Sequence, residues 1–493
     1  MSEAHRGITI LGLGPGDPGQ LTLQAWKWLE GLTEIYLRTR HHPTVAGFPV
    51  GLEIHSFDEI YDQGEKFEEV YAEIVRQVLE LGQRPQGVTY AVPGHPFVAE
   101  ATAPEIVRQA KAMGIPVRVI EGLSFLEPTF TALQIDPYPD LVMADAMELA
   151  GLHTPSFSPA RPVLIAQIYS RTVASNVKLT LMAVYPDEHL VNLVHAAGTV
   201  QELVEELPLY KIDRSEHLGL LSSLYVPALA EDTSLEYFQE VIAHLRAPDG
   251  CPWDKEQTHL SLRKYLLEET YEALQALDAE DMDGLHEELG DIVLQIALHA
   301  QIGMEEGEFS MAEILQGISR KIIHRHPHVF GDVQVDGVRG VLQNWDKLKA
   351  AERKANGVEH EKGSLDGVSK ALPALSQAQE YQERAARVGF DWADIQPVLD
   401  KVVEELEEIR SAQTDEEREA EIGDLLFALV NVIRWMKVDA ETALRATNQR
   451  FYRRFRHVEK QAHASGRTLS EMTLDEMDIF WEEAKALERE GNL

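Results

Sequence analysis

The spacing of apolar residues changes partway along the chain, and the change predicts two kinds of structure. Up to about residue 230, short apolar runs such as ITILGLG and GVTYAVPG precede Gly/Pro turns and amphipathic stretches such as EATAPEIVRQAKAMG. This alternation is typical of an α/β domain. From Thr233 onward, apolar residues recur with the helical period in segments rich in Glu, Ala, Leu and Arg. The pattern predicts a multidomain chain with an α/β N-terminal half and a nearly all-α C-terminal half.

The helical half contains an internal repeat of acidic motifs. Glu-Glu-x-x-Glu followed by Glu-x-x-Asp occurs at residues 268–272 and 288–291, and again at 404–408 and 421–424. At about 100° per residue, the acids of each motif fall on one face of their helix. The segment ELGDIVLQIALHA is apolar nearly all round, so we expect it to be buried, with Glu288 and Asp291 directed into protein.

A turn is expected at Asp283-Gly284, which would pack the two acidic helices of the first repeat antiparallel and bring their carboxylates together. Carboxylates that converge in a poorly solvated groove repel one another unless a cation neutralises them. Mg²⁺ or Mn²⁺ suits such oxygen ligands and leaves positions open for phosphate. An exposed acidic helix face is the alternative for a single motif, but the matched repeat favours a metal site in at least one copy.

A basic pair at i, i+4 spacing follows each acidic unit. Lys321 and Arg325 follow the first, and Arg450 and Arg454 follow the second. Each pair is either a solvated cationic face or a contact for phosphate oxygens. Together with a divalent metal, the acids and basic pairs predict a site for a polyphosphate ester. The histidines of HRHPH (324–328) are expected to be structural, because the carboxylates suit a harder ion than zinc.

The charge balance narrows the possible partners. The 45 basic residues against 82 acidic ones give a net charge of −37, which argues against nucleic acid or an anionic membrane as a partner. The single cysteine, Cys251, fits a reducing compartment, and no apolar run approaches membrane-spanning length. We therefore expect a cytoplasmic protein.

Several strings in the helical half closely resemble the MazG family of all-α nucleoside triphosphate pyrophosphohydrolases. They include GCPWDKEQTH, LEETYEAL, HRHPHVFGD, VGFDW, EIGDLLFALVN and RFYRRFRHVE, and the resemblance covers about residues 235–493. It implies Mg²⁺-dependent hydrolysis of a nucleoside triphosphate to a nucleoside monophosphate and pyrophosphate. It also implies a dimer or higher assembly and a role in removing unwanted nucleotides.

The same resemblance assigns roles to individual residues. Metal ligands would be Glu405, Glu408, Glu421 and Asp424 in the second repeat, and Glu269, Glu272, Glu288 and Asp291 in the first. Nucleotide-binding residues would be Lys401, Arg450, Arg454 and Trp481, with Lys321 and Arg325 as the basic pair of the first repeat. Catalytic candidates are Glu404, Glu405 and Glu408, and the choice between Glu404 and Glu405 as the group that orients or deprotonates water stays open. The second repeat is favoured as the working one, although the first keeps every acid.

The α/β half resembles the tetrapyrrole (corrin/porphyrin) methylases, a two-lobed family that uses S-adenosylmethionine. The resemblance covers roughly residues 6–228 through GLGPGDPGQLTLQA, YAVPGHPFVAEAT and VIEGLSFLEPTFTAL. It implies a cofactor cleft formed by Gly12, Gly14, Gly16, Gly94, His95, Pro96, Gly122 and Ser124. A former methylase kept as a binding or oligomerisation module, with glycines serving tight turns, is the alternative.

The leading interpretation is a fusion of three parts: residues 1–230 (methylase-like), 231–355 (first MazG-like repeat) and 356–493 (second repeat). Two other hypotheses remain. In one, the chain is an S-adenosylmethionine-dependent methyltransferase whose helical half is a regulatory nucleotide sensor. In the other, the acids bind Mg²⁺-nucleotide without turnover.

Overall fold

The computed structural model describes residues 7–63, 67–338, 340–341, 344–345, 348 and 363–490. These form two compact units, Met1–Glu256 and Gln257–Leu493. The domain boundaries predicted near residues 230 and 355 stay predictions, and the second lies outside the described residues. The expected fold class is confirmed, because the first unit holds two β-sheets with helices and the second unit is built from helices.

The first sheet is parallel and covered by helices on both faces. Its strands are β1 (Ile8–Gly12), β2 (Glu34–Leu37), β3 (Glu53–Ser56), β4 (Val88–Val92) and β5 (Val117–Ile120). The strand order is β3-β2-β4-β1-β5, and every pairing is parallel. The central strands β1 and β4 are buried at every position, which is why they read as unbroken apolar runs. Their carboxyl ends, at Gly12 and Val92, lie side by side in register.

The second sheet is mixed. Its strands are β6 (Val142–Asp145), β7 (Val163–Ala166), β8 (Leu190–His195), β9 (Leu203–Pro208) and β10 (Ser222–Val226), in the order β6-β7-β10-β8-β9. Only the β6–β7 pair is parallel among these described pairings. The core of this lobe centres on apolar residues of β7, β8 and β10 packed against a helix that contributes Val177 and Leu181.

Nine helices belong to the described part of the first unit. They are α1 (Leu23–Leu29), α2 (Asp58–Gln63), α3 (Phe67–Gly82), α4 (Thr102–Met113), α5 (Leu126–Leu133), α6 (Ala146–Leu149), α7 (Arg171–Met182), α8 (Leu235–Arg246) and α9 (Pro252–Lys255). Short 3₁₀ helices occur at Pro18–Gln20, Pro43–Gly47, Leu209–Arg214 and Glu231–Thr233. The helices α3 and α4 cover one face of the first sheet and α1 covers the other.

The second unit consists of long helices that repeat the acidic pattern. In order they are α10 (His259–Asp278), α11 (Met282–Glu306), α12 (Met311–Arg325), α13 (Pro327–Phe330), α14 (Ala374–Arg387), α15 (Gln396–Ser411), α16 (Asp415–Trp435), α17 (Ala440–Ala464) and α18 (Leu474–Arg489), with a 3₁₀ turn at Leu469–Glu471. The acidic helices pack in pairs, α10 with α11 and α15 with α16. Each pair carries one copy of the acidic motifs, as the repeat predicted.

The turn between α10 and α11 differs from the expected one. Asp283 and Gly284 lie in the first turn of α11, and the chain reverses at residues 279–281 instead. Glu280 adopts a left-handed φ of 54° there. Asp281 caps α11, because its carboxylate accepts a hydrogen bond from the Gly284 N–H at 3.0 Å. Gly284 therefore supplies a donor to the cap and does not form the turn.

The second acidic helix is less buried than its apolar sequence suggested. In α11, Leu289, Val293 and Ile296 are exposed, whereas Ala297 and Leu298 are buried. Within the chain, α11 packs mainly against α10, and it also contacts α12. The expectation that this helix is buried all round is wrong for the single chain.

Among the residues that the structure describes, no helix has both the length and the apolar character needed to span a bilayer.

Candidate active site

Three carboxylates of the second repeat converge between α15 and α16. Each of Glu405, Glu408 and Glu421 offers an oxygen, and these atoms all lie within 4.8 Å of one another. Glu405 is only 4% exposed, and its Oε2 is buried without a hydrogen-bond partner. Asp424, one turn along from Glu421, lines a cavity next to this cluster. We call Glu405, Glu408, Glu421 and Asp424 the second-repeat acid set.

Lys401 contacts Glu405 of this set. Its Nζ lies 2.8 Å from Oε1 of Glu404 and 2.7 Å from Oε1 of Glu405. Hydrogen bonds to these two carboxylates hold the pKa of Lys401 well above its ordinary range, so it stays charged. The two glutamates differ in environment, because the Glu404 side chain is 57% exposed and the Glu405 side chain is 5% exposed.

Glu408 is perturbed by its surroundings in this set. Partial burial, followed by the proximity of Glu405 and Glu421, raises the pKa of Glu408 above that of an ordinary glutamate. One lysine therefore does not neutralise the cluster. Further positive charge placed among these oxygens would be strongly favoured.

A cavity of about 420 Å³ opens beside the acid set. Lys401, Glu405 and Asp424 contribute charged groups to its lining, as do Asp391 and Arg434. The other walls are mostly aromatic and amide side chains, namely Tyr381, Phe390, Trp392, Phe427, Gln382 and Asn431. A largely apolar pocket that ends in a few convergent polar groups is typical of a small-molecule site.

The cavity has an ordered polar wall. Asp391 receives two hydrogen bonds from the Arg434 guanidinium, at 2.7 and 3.0 Å, and one from the indole N–H of Trp435 at 3.2 Å. Arg434 also donates to Oδ1 of Asn431 at 2.9 Å. Gln382 donates to the carbonyl of Phe427 at 2.8 Å, and its own Oε1 is buried without a partner.

Sequence reasoning did not assign these cavity residues to a site. The only signal was the string VGFDW, which places Phe390, Asp391 and Trp392 in the loop before α15. The amides come from other helices, Gln382 from α14 and Asn431 from α16. No spacing along the chain links them.

The first repeat forms a similar cluster of carboxylates. Oxygens of Glu269, Glu272 and Glu288 lie within 4.8 Å of one another. Burial, and then the nearby charge of Asp291, raises the pKa of Glu269, while burial and the charge of Glu272 raise the pKa of Glu288. These four residues are the first-repeat acid set. The position equivalent to Lys401 is occupied by Tyr265, so the first repeat lacks that ammonium group.

Of the basic pair of the second repeat, Arg454 contacts the neighbouring helix and Arg450 contacts its own. Arg454 on α17 donates from Nε to Glu488 of α18 at 2.8 Å, and its guanidinium lies 5.8 Å from the ring centroid of Trp481. Arg450 is exposed and donates to Oγ1 of Thr447 at 3.0 Å. The described contacts of Arg454 and Trp481 thus form a cluster of their own on α17 and α18.

The basic pair of the first repeat lies on α12. Lys321 is exposed and Arg325, in the last turn, is partly buried. In the neighbouring histidine segment, His326 Nδ1 lies 2.7 Å from the carbonyl of Ile322, and its ring is 5.6 Å from that of His328. The structural role predicted for these histidines stays a prediction.

The glycines predicted to hold a cofactor in the first unit pack mainly against one another. A Cβ added to Gly12 would lie 2.5 Å from the Gly122 nitrogen and 2.7 Å from the Gly94 carbonyl oxygen. Gly14 and Gly94 exchange backbone hydrogen bonds, at 3.3 and 2.8 Å. The main role of Gly12 and Gly122 is therefore to let the strand ends approach closely.

The remaining predicted cofactor residues differ in their surroundings. Ser124 is buried. Its hydroxyl donates to Glu127 at 2.7 Å and accepts from the Leu126 N–H at 3.0 Å, and these hydrogen bonds stabilise the start of α5. His95 Nδ1 accepts from the Phe97 N–H at 3.1 Å, Pro96 is buried, and Gly16 adopts a φ of 148°.

A larger cavity, of about 650 Å³, lies in this unit. Of the predicted cofactor residues, Gly94 lines it. Its other walls include Arg38, His42, Phe125, Asp145 and Gln167. Arg38 pairs with the buried carboxylate of Glu100 and accordingly keeps a pKa far above neutrality despite the opposing effect of burial.

Two non-glycine residues of the wall, Ala99 and Gln167, adopt left-handed φ values of 52° and 67°. Backbone held in such sparsely populated conformations is concentrated at functional sites.

Comparison with known proteins agrees with the division of the chain into an α/β unit and a helical unit. Residues 257–330 match the MazG nucleotide pyrophosphohydrolase domain, and residues 7–213 match the tetrapyrrole (corrin/porphyrin) methylases. The chain is 44% identical over 491 residues to the uncharacterized protein YabN of Bacillus subtilis (strain 168), covering 98% of this chain and 99% of that protein. The two resemblances drawn from the motifs are therefore confirmed.

The helical half has relatives with a named activity. Over 254 residues it is 44% identical to the nucleoside triphosphate pyrophosphohydrolase of Escherichia coli (strain K12), covering 50% of this chain and 95% of that protein. Among solved structures, uroporphyrin-III-C-methyltransferase from Thermus thermophilus is similar, with a TM-score of 0.35 and 21% sequence identity. The match covers 45% of this chain and 93% of that structure's chain.

Proposed function

Because the chain belongs to the MazG family of nucleoside triphosphate pyrophosphohydrolases, we propose that it hydrolyses nucleoside triphosphates to nucleoside monophosphates and pyrophosphate. The observation that carries the proposal is Glu405. This carboxylate is buried, has an oxygen without a partner, clusters with Glu408 and Glu421, and itself lines a cavity of about 420 Å³. The proposed role is removal of unwanted nucleotides.

The donor set fits Mg²⁺ or Mn²⁺. The residues that would hold the ion are Glu405, Glu408, Glu421 and Asp424. Two observations support this fit: the unpartnered oxygen of Glu405, and the raised pKa of Glu408, which partial burial and then the neighbouring carboxylates cause. Oxygen-only ligands are those that hard divalent cations prefer. When bound, such an ion stabilises charge on phosphate oxygens and lowers the pKa of bound water.

The chain's own residues would bind and orient the nucleotide. The aromatic walls of the cavity suit a nucleoside, and the free Oε1 of Gln382 is an acceptor available to a base N–H. The triphosphate would then extend toward Lys401 and the acid set. Arg450, Arg454 and Trp481 are proposed to meet the phosphates and the nucleotide from α17 and α18.

Burial distinguishes the catalytic candidates. Glu404 is exposed and paired with Lys401, whereas Glu405 is buried among the other acids. We therefore favour Glu405 over Glu404 as the group that orients the attacking water. Glu408 remains a candidate base, because a raised pKa makes a carboxylate a better proton acceptor.

The first-repeat acid set is proposed as a second metal site with the ligands Glu269, Glu272, Glu288 and Asp291. Its raised pKa values support cation binding there. It lacks the equivalent of Lys401, so we assign turnover to the second repeat. Lys321 and Arg325 are proposed as its phosphate contacts.

A homodimer or higher assembly is also proposed. The exposed apolar side chains of the acidic helix pairs support it, including Leu289, Val293 and Ile296 on α11 and Leu426 and Phe427 on α16. Exposed apolar surface that forms a patch marks a protein interface, and the spacing of Leu289, Val293 and Ile296 puts them on one face of α11.

The proposal is tested by incubating the purified chain with a panel of nucleoside triphosphates and Mg²⁺ and separating the products. Nucleoside monophosphate and pyrophosphate are expected in equal amounts, and a chelator of divalent cations should abolish both. Formation of nucleoside diphosphate and orthophosphate would contradict the proposed bond cleavage. Tight binding without any product would support the nucleotide-sensor hypothesis instead.

A second candidate function, binding of S-adenosylmethionine, is favoured by the 650 Å³ cavity of the first unit and the left-handed Ala99 and Gln167 on its wall. Equilibrium dialysis with labelled S-adenosylmethionine tests it. Saturable binding that is weakened at least about tenfold by Gln167→Ala would support the site. Undetectable binding would favour the alternative of a former methylase kept as a structural module.

A further inference from the structure

A separate group of potential metal ligands lies at the base of the first acidic helix pair. It consists of His259 at the start of α10, His299 in α11, Glu306 at the end of α11 and Glu308 just beyond. Ligand atoms of His259, Glu306 and Glu308 all lie within 4.8 Å of one another. We call these four residues the histidine cluster. Residues 259 and 269 are ten positions apart on one helix, so the cluster lies about 15 Å along the axis from the first-repeat acid set.

The two imidazoles of the cluster are held in a defined arrangement. Their rings are parallel within 3°, with centroids 5.0 Å apart, and Nδ1 of His259 lies 2.7 Å from Nδ1 of His299. At this distance one nitrogen carries the hydrogen and the other accepts it. When His259 is the donor and its ring is neutral, the lone pair of that ring is on Nε2.

The Nε2 atom of His259 is the unsatisfied atom of the cluster. It is buried and has no hydrogen-bond partner, and the closest approach to Oε2 of Glu306 is 3.8 Å. A buried polar atom without a partner is costly, whichever tautomer is present. An ion between Nε2 and the two carboxylates would satisfy it.

The end of α11 holds the two carboxylates near this atom. Gly307, with a φ of 73°, terminates the helix, and the Glu308 N–H donates back to the carbonyl of Gly303 at 2.9 Å. The ring of Phe309 then stacks on His259 with centroids 5.9 Å apart. Unpaired carbonyls at a helix C-terminus also favour a cation there.

We propose that His259, Glu306 and Glu308 bind a Zn²⁺ ion, with His299 as the positioning residue that holds the His259 ring. An imidazole nitrogen with two carboxylates suits Zn²⁺ better than Mg²⁺, which favours oxygen ligands and retains water. Three protein ligands leave a fourth position for water. Ligand atoms around tetrahedral Zn²⁺ are about 3.3 Å apart, and the exposed side chains of Glu306 and Glu308 can reach this spacing by rotamer changes.

The ion would clamp the open end of the helix pair. It would join the first turn of α10 to the last turn of α11, whereas the opposite end is closed by the residue 279–281 turn. The clamp would fix how the two acidic helices align and so stabilise the geometry of the first-repeat acid set. The inference does not depend on which repeat turns over nucleotide.

Zn²⁺ binding is measured on the full, metal-stripped chain by competition with a chromophoric chelator, in excess Mg²⁺ to occupy the carboxylate sets. The expected result is one Zn²⁺ per chain bound tightly in this background. His259→Ala and Glu306→Gln should each weaken binding by about 100-fold, and His299→Ala by about 10- to 100-fold. Co²⁺ in place of Zn²⁺ should give a visible absorption band that disappears in His259→Ala.

Glu305→Gln is the matched control, because it removes one negative charge from the same helix end but does not remove a proposed ligand. The Glu305 carboxylate accepts a hydrogen bond from Gln301 at 3.0 Å. It should bind Zn²⁺ within about twofold of the original chain. Circular dichroism verifies folding, and Glu306→Gln, at an exposed position, carries the test if His299→Ala fails to fold. Absence of Zn²⁺ binding in excess Mg²⁺, or unchanged affinity in both His259→Ala and Glu306→Gln, would overturn the proposal.

Discussion

Individual carboxylates with the same sequence motif have very different surroundings. Glu404 and Glu405 are adjacent and both contact Lys401, yet one is largely exposed and the other is buried with an unpartnered oxygen. Since burial strengthens every electrostatic interaction, the buried member should dominate cation binding.

The first prediction compares these neighbours. Glu405→Gln should lower kcat for pyrophosphate release by at least about 100-fold, because it removes a buried ligand charge. Glu404→Gln should lower it by less than about tenfold, since its carboxylate faces solvent. Both substitutions conserve shape, so circular dichroism should not change. Equal losses in the two variants would show that burial does not decide the role.

A second residue-scale prediction concerns His42 in the first unit. Burial lowers the pKa of His42 to about 4, and its Nδ1 has no hydrogen-bond partner. The unfolded chain takes up this proton near pH 6.5, before the folded chain does, so stability is lost as the pH falls from about 6.5 through about 4.

His42→Phe should remove this loss. The quantity to compare is the Tm of the variant minus the Tm of the original chain. This difference should be about 5 °C larger at pH 4 than at pH 7. His41→Phe, at an exposed position beside it, is the control and should not change the pH dependence of Tm. Parallel Tm curves for the original chain and His42→Phe would argue against the low pKa.

At the scale of elements, the helix pairs owe their geometry to their ends. The α10–α11 turn depends on Asp281 as a cap and on the left-handed Glu280. Asp281→Ala should destabilise the helical unit by about 1 kcal/mol, because the Gly284 N–H loses its acceptor. Asp283→Ala removes a charge from the same turn of α11 without removing the cap, and should cost about half as much or less. Thermal unfolding followed by the helical circular dichroism signal compares the stability of the two variants. If Asp283→Ala lost more stability than Asp281→Ala, the result would favour the turn at Asp283-Gly284 that the sequence predicted.

The sequence predicted the helices and strands better than it predicted which of their residues are buried or line a cavity. Matched spacing showed that Glu405, Glu408 and Glu421 would face one another, because helical period and motif repeat are local properties. The turn was misplaced because Asp-Gly serves both turns and helix starts, and only the hydrogen bond to Asp281 distinguishes them. The cavity was missed because Gln382 and Phe390 meet other cavity residues only through packing of separate segments.

At the scale of the whole molecule, the chain joins an α/β unit to a helical unit that exposes much apolar surface. Periodicity correctly identified apolar positions on α11, but a single sequence does not say which of them the chain itself covers and which it leaves exposed. The prediction is that Leu289→Ser/Val293→Ser/Ile296→Ser shifts the assembly toward monomer, with the molar mass from light scattering falling by about half.

A matched triple variant of exposed apolar residues in the first unit, Leu23→Ser/Val50→Ser/Val200→Ser, should leave the molar mass unchanged. A monomeric original chain, or equal masses for the original chain and the α11 variant, would contradict a subunit interface on α11.

The most direct test of the account is the rate of pyrophosphate release in Mg²⁺ by three forms of the full chain. These are the original chain, Glu269→Gln/Glu272→Gln and Glu405→Gln/Glu408→Gln. The account predicts that the original chain and the first-repeat variant release pyrophosphate at rates within about tenfold of each other, and that the second-repeat variant loses at least about 100-fold. Loss confined to the first-repeat variant would move the active site to the other helix pair, and release unaffected by either variant would contradict the assignment of catalysis to these acids.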